Sequence, residues 1–330
     1  MANLYPIFTS HMVLQANKPI RIFGSGSGKI SVDFLGQTKH LCSTGNAWLL
    51  ELDPHDYGGP YTMTVTLDGV DTVLDDIYLG DVYLLGGQSN MQFQLCESNE
   101  SPENYTADEN LRLFTVDRPE EGNRFGAKDG WVTCRKELAG DFPAIGYYVG
   151  TQLSNATGHK IGLLSCNQGA SVIQTWMPRH LFDDGRFYVS DADKFEDHFN
   201  FPWNGYGQLY DSMLCEVIAY SVKAVLWYQG EANSGVAEAA IYLDLLDAFI
   251  GNVRAEQQDP SLPFIVVQLA DYAPWEGPGW RGIQEAQLKA QNTIANVRTV
   301  ICRDVCQTDD IHPKEKRILS LRIVEALATL

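Results

Sequence analysis

The 330 residues carry 42 acidic and 24 basic side chains, giving a formal net charge of −18 and a pI near 4.7. Like charge repels nucleic acid and anionic membrane surfaces, so neither is an expected partner; a neutral or sugar-like ligand remains open, and the charge itself reads as solubility. An apolar fraction of 45% supports a sizeable core and argues against disorder, and no stretch approaches the length of a membrane span.

The chain opens Met1-Ala2-Asn3-Leu4-Tyr5-Pro6, without a basic region followed by an apolar run, so no signal peptide is read here. The 7 cysteines are odd in number and scattered, which favours reduced thiols over a disulfide framework. Both features predict a cytoplasmic location. The 7 histidines show no ligand spacing, so neither a metal nor another cofactor is expected. Oligomeric state is not legible.

Residues 1–78 read as strands and turns. Ile20-Arg21-Ile22-Phe23, Ile30-Ser31-Val32-Asp33-Phe34 and Tyr61 to Leu67 are β-rich, partly alternate, and are punctuated by Gly and Asp. A small antiparallel β-sandwich is the expected architecture. Gly24-Ser25-Gly26-Ser27-Gly28-Lys29 is not a phosphate loop, because Phe23 stands where the first Gly belongs and Ile30 follows the Lys. It reads as a turn.

From residue 79 the rhythm changes. Strand-like runs at Val82–Leu85, 111–116, 161–165, 224–228, 264–268 and 300–302 alternate with helical patterns near 143–156, 206–221, 237–257 and 281–295, and a last helix from Pro313. That alternation predicts an α/β fold with a parallel sheet and helices on both faces, over 79–330. Chemistry then collects at the carboxyl ends of the strands.

Four blocks fall at such ends. Gly86-Gly87-Gln88-Ser89-Asn90-Met91 lets the backbone turn sharply and exposes the Ser89 hydroxyl, although Met91 departs from the G-x-S-x-G elbow. Asp309-Asp310-Ile311-His312-Pro313 offers an imidazole to take a serine proton, with Asp309 one turn away to orient it. Trp227-Tyr228-Gln229-Gly230-Glu231-Ala232-Asn233 adds Gln229 as an amide donor for an oxyanion and Glu231 as a second candidate partner of His312. Asn167-Gln168-Gly169-Ala170-Ser171 adds the Gly169 N–H as a further donor. Trp176 is a candidate sugar-stacking ring. Gln88, Asn90, Tyr228 and Asn233, in the same blocks, join it as expected substrate contacts. Each block alone is equally an ordinary turn, cap or strand end. Together they form the minimal set for acyl transfer.

These blocks resemble the sialate O-acetylesterase group of SGNH hydrolases and related carbohydrate acetylesterases, acetylxylan esterases among them. Met12-Val13-Leu14-Gln15, Gly58-Gly59-Pro60-Tyr61, Gly80-Asp81-Val82-Tyr83 and Leu209-Tyr210-Asp211-Ser212-Met213 extend the resemblance over nearly the whole chain. It implies a three-layer α/β/α flavodoxin-like domain behind the β-rich part, and deacetylation of sugars such as sialic acid or xylan- and mannan-type oligosaccharides. It also implies Ser89 as nucleophile, His312 as base, Asp309 or Glu231 as the triad acid, and an oxyanion hole of the Ser89 and Gly169 N–H groups with the Gln229 side chain. Gln168-Gly169-Ala170 departs from that group's Gly-Gly-Thr pattern, and the long insertion of larger sialate acetylesterases is missing. Two rival readings use the same residues. A glycoside hydrolase would pair Glu231 with Asp309, and a non-catalytic sugar-binding module would use Trp176, Trp203 and Tyr206 as a platform.

Overall fold

A single strand of 18 residues, Val70–Gly87, organises the chain. The computed structural model describes residues 1–119, 129–191, 193–195 and 200–330. Up to Ile77 the strand is mostly exposed, as expected where one sheet face meets water. From Leu79 onward every residue is buried, as expected of a central parallel strand covered on both faces. Position 78, where the sequence rhythm changes, therefore lies inside a continuous β-strand.

The first half of this strand pairs antiparallel with Gly58–Leu67. Asp68 and Gly69, both at positive φ, make the tight turn between them. Val13–Gln15 lies parallel on the strand's other edge. Gly28–Phe34 and Gln37–Ser43 continue the ladder from Gly58–Leu67. A second, three-stranded sheet holds Asn3–Leu4, Ile20–Ser25 and Ala47–Leu52. The turn expected over 24–29 is shorter than the sequence suggests. Strands occupy both of its ends, and only Gly26 and Ser27 carry the chain from one sheet to the other. Gln37–Ser43 escapes the sequence reading because polar residues dominate it, and Ala47–Leu52 because the apolar Ala47 and Leu49 also fill exposed positions and hide its alternation.

The second half lies at the centre of the parallel sheet. Across it the order is Val132–Cys134, Asp108–Thr115, Ile161–Asn167, Val70–Gly87, Ala224–Tyr228, Phe264–Val267, Val297–Val300. All neighbours are parallel except the short edge strand Val132–Cys134. The chain first fills one side of Val70–Gly87, returning inward to set Ile161–Asn167 beside it, and then crosses to the other side. The carboxyl ends of Ile161–Asn167, Val70–Gly87 and Ala224–Tyr228 thus flank a topological switch point, where such sheets open a crevice.

Helix Ala144–Thr157 packs against Lys316–Leu327, and Val236–Glu256 against Pro278–Thr293. The helical pattern at 206–221 yields only Gln208–Ser212 and a short 3₁₀ turn, Leu214–Glu216. Met213 and Val217 leave helical geometry there to bury their side chains. The final helix starts at Lys316 rather than Pro313, and the last strand ends at Val300 because Ile301 turns outward.

Gly87 is where the central strand breaks. Its φ is +134°, and a Cβ there would sit 2.1 Å from the Tyr228 carbonyl oxygen. Gly87→Ala should therefore destabilise the protein by about 3 kcal/mol in urea unfolding, through backbone strain and direct overlap.

Candidate active site

Ser89 opens the four-residue helix Ser89–Gln92 immediately past the break at Gly87. The turn is pinned from below, because Gln88 N–H donates to the Tyr228 carbonyl at 3.0 Å and Phe93 N–H closes onto the Ser89 carbonyl at 2.8 Å. Ser89 stays partly exposed while Gln88, Asn90 and Met91 around it are buried. As the first helical residue, its N–H has no intrahelical acceptor.

Gly169 follows strand Ile161–Asn167, the neighbour of the Ser89 strand. A Cβ built on Gly169 would lie 3.7 Å from the Ser89 Cβ, which puts these two residues side by side at the sheet's end. The Gly169 N–H donates to the Gln92 side-chain oxygen at 2.6 Å. That amide oxygen occupies the position an acyl oxygen must take to reach the same N–H. Gln92 was missed in the sequence, where the available signal was its spacing of three from Ser89 on one helix face. On the other side of Gly169, the indole of Trp203 donates to its carbonyl at 3.1 Å and stacks on Phe201 with ring centroids 5.0 Å apart. Both rings are half-buried.

His312 sits on the loop after Val297–Val300, half-buried, with the Phe93 ring 6.2 Å away centroid to centroid. Burial lowers its pKa from 6.5, the nearby Lys316 cation lowers it further, and the Asp310 and Glu97 carboxylates oppose both. The imidazole is thereby held neutral, the form that can accept a proton. Asp310 also accepts the His312 backbone N–H at 2.8 Å. Asp309 is exposed. Among the described residues no hydrogen bond joins the Asp309 carboxylate, the His312 ring and the Ser89 hydroxyl. In ligand-free enzymes such contacts are often long and tighten only with substrate.

The Ser89 turn and the His312 loop are tied together by a buried polar network. Asn90 donates through one side-chain nitrogen to Glu231 Oε1 at 2.6 Å and to the Ile311 carbonyl at 2.9 Å. Its oxygen accepts from the Lys316 ammonium. Glu231 and Lys316 are only 2% and 1% exposed. The Lys316 ammonium lies 4.8 Å from the centre of the Phe93 ring and 5.4 Å from that of Tyr228. Its pKa falls to about 8, chiefly from burial, despite Cys306, Cys302 and Glu231 pulling the other way. The network thus joins residue 90, residue 231 and the segment 311–316 through one amide.

The five side chains expected to touch substrate lie beneath the surface. Gln88 is 3% exposed, and its oxygen accepts from the Gly230 and Ala232 N–H groups at 3.3 and 3.2 Å. Asn90 serves the network just described. Trp176 is fully buried, its indole donating to Ser171 Oγ at 2.9 Å. Tyr228 is sealed beside Cys302 and Lys316. Asn233 donates to Gln174 and accepts from Ile173 N–H. These residues support the site from below, since bulky and polar side chains at strand ends are drawn inward once each finds an internal partner. Gln229 is likewise fully buried. Its amide hydrogens face the Ser171 carbonyl at 3.0 Å and Asn233 Oδ1 at 2.8 Å, and its oxygen accepts from Tyr242 at 2.7 Å. The same nitrogen also lies 3.3 Å from Gln88 Oε1, next to the Ser89 turn, so all its hydrogen-bond contacts are with buried acceptors. Tyr206 stacks on Phe182 with ring centroids 4.4 Å apart. Among the described residues no group of three or more His, Cys, Asp or Glu could hold a metal ion, and no helix is long and apolar enough to cross a membrane.

Comparison with known proteins places this geometry in context. The model of the family described as SASA, carbohydrate esterase, sialic acid-specific acetylesterase, matches residues 79–326. Sialate O-acetylesterase of Rattus norvegicus is 24% identical over 337 residues, which cover 84% of this chain and 62% of that protein. The Homo sapiens protein of the same name is 24% identical over 318 residues, covering 84% and 59%. The chain therefore spans about three-fifths of the length of these curated relatives. A crystal structure of a carbohydrate acetylesterase from Xanthomonas citri superposes with a TM-score of 0.82 at 29% identity, over 99% of this chain and 74% of the other.

The buried network makes a thermodynamic prediction. Lys316→Met leaves the Glu231 carboxylate without its cation and should cost about 3–5 kcal/mol in urea unfolding. Adding Glu231→Gln, which removes the orphaned charge, should recover most of that loss. A double variant no more stable than the single one would refute the coupling.

Proposed function

Because the chain belongs to the SASA family of carbohydrate esterases, we propose that it hydrolyses O-acetyl esters of sugars, with Ser89 as nucleophile and His312 as general base. The observation that carries this reading is the meeting of Ser89 and Gly169 at the switch point of the parallel sheet, with the His312 loop bound to the Ser89 turn through Asn90. The architecture assigned with it is a three-layer α/β/α hydrolase part over 79–330 and a β-sandwich over 1–78.

In this mechanism Ser89 Oγ attacks the acetyl carbonyl while the neutral His312 ring takes its proton. The carbonyl oxygen, now negative, displaces the Gln92 amide oxygen from the Gly169 N–H and also receives the Ser89 N–H. The sugar hydroxyl leaves with the proton from His312. Water then attacks the acetyl-enzyme by the same route, releasing acetate. Asp309, three residues before His312 and exposed, is assigned as the orienting acid. Glu231 is assigned as a positioning residue, because its carboxylate is committed to Asn90. Gln229 supports Asn233 and is not needed as a donor in this scheme. Trp203, half-buried against Gly169, takes the place of Trp176 as the ring facing the sugar. The buried Glu231 also counts against glycoside hydrolysis, which needs two carboxylates flanking a bound sugar.

Ser89→Ala should lower acetate release from acetylated oligosaccharides about 10⁴-fold or more while leaving the protein folded. Retained turnover would remove the nucleophile assignment. The lowered His312 pKa sets the pH response. The base works when neutral, so kcat/KM should hold as pH falls and be lost only below 6.5. Asp310→Asn keeps the acceptor for the His312 N–H but removes the charge that favours the imidazolium. Its acid limb should shift to still lower pH, and an upward shift would contradict the electrostatics described.

A further inference from the structure

A cavity of about 330 Å³ opens at the carboxyl end of strand Phe264–Val267, a volume within the range of small-ligand sites. This strand is second in order from the Ser89 strand, so the cavity lies at the same carboxyl end of the sheet, about 10 Å away by strand spacing. Arg303 and Thr308, from the loop that continues to Asp309 and His312, form one wall. Trp280 and Gln284, on helix Pro278–Thr293, form another, with the Tyr272 ring 6.0 Å from Trp280.

Three observations define what this cavity would hold. First, Gln268 lines it, is 1% exposed, and donates through its nitrogen to the Gln284 carbonyl at 3.1 Å. A carbonyl only accepts, so the amide's orientation is set by that contact. Its oxygen is then left with no donor among the described residues, an unfavourable state for a buried acceptor. Second, the charges are nearly all matched. Asp271 accepts from Arg303 at 2.7 Å and from Gln284 at 3.0 Å, and Arg281 pairs with Glu276. Glu285 has no ion pair among the described residues, so the lining is acceptor-rich and slightly negative. Third, the half-buried Tyr272 ring, backed by the buried Trp280, lies beside these acceptors.

We propose that this cavity binds a neutral saccharide unit, whose hydroxyls donate to Gln268 Oε1 and Glu285 while its apolar ring face meets Tyr272. An anionic sugar is disfavoured, because the lining carries three carboxylates, Asp271, Glu276 and Glu285, against two guanidiniums, Arg281 and Arg303, that are already paired with Glu276 and Asp271. The site shares the His312 loop as a wall, so a glycan seated there lies next to the candidate esterase centre. For its use in catalysis the inference rests on the esterase reading, but binding is measured without turnover.

Isothermal titration of the full chain with xylobiose, cellobiose and N-acetylneuraminic acid tests it. A neutral disaccharide should bind, with the sialic acid at least tenfold weaker. Gln268→Met should weaken the neutral ligand roughly fivefold, the equivalent of one neutral hydrogen bond. Glu285→Ala, at an exposed position that folding does not depend on, should weaken it as well. Weakening in either variant supports the subsite. It is overturned if no neutral disaccharide binds at millimolar concentration, if N-acetylneuraminic acid binds as tightly, or if both variants bind like the parent. Binding without acetate release would leave the subsite and remove the esterase reading. Acetate release without binding would do the reverse.

Discussion

The side-chain amide of Asn90 is the constraint on which the site depends. It is 2% exposed and meets an anion, a cation and a backbone carbonyl from distant parts of the chain. An amide suits that position because it presents donors and an acceptor without adding a charge of its own. Glu231 and Lys316 are each costly to bury, and each is tolerable because Asn90 relays between them. The consequence is register. The Ser89 turn cannot slide relative to the loop bearing His312 without breaking buried hydrogen bonds that water is not there to replace.

Much of the frame is legible in the sequence. Apolar runs such as Ala224-Val225-Leu226-Trp227-Tyr228 are continuous because both faces of a central parallel strand are covered, and the strand bounds coincide with the run. Gly87, two residues before Ser89, is equally readable, because only glycine passes a carbonyl that closely at positive φ. The carboxyl-end rule then directs attention to the blocks at 86–91, 167–171, 229–233 and 309–313.

Side-chain direction is what sequence pattern does not carry. Gln88, Asn90, Tyr228, Gln229 and Asn233 belong to the right segments, yet each turns inward to a partner from another segment. Whether a polar residue at a strand end faces substrate or core depends on those distant partners, and spacing along the chain is silent about them. Trp176 follows the same logic, since Ser171 and Trp227 supply a buried berth for its ring. Trp203 is instead held half-open by the Gly169 carbonyl. Gln92 was overlooked because nothing local distinguishes an amide that closes onto a neighbouring loop from one left in solvent.

The strand Val70–Gly87 has a consequence beyond geometry. Its first half is hydrogen-bonded into the β-rich segment and its second half ends at the Ser89 turn. Tyr220, from the segment leading into Ala224–Tyr228, adds a buried hydroxyl contact to the Val13 carbonyl at 2.7 Å. The two parts are spliced through shared backbone, so a cut or graft near residue 78 would sever a ladder rather than a tether. Cooperative melting of both parts as one unit follows, and recombination of either half with a foreign partner would have to rebuild that ladder to keep the Ser89 turn in place.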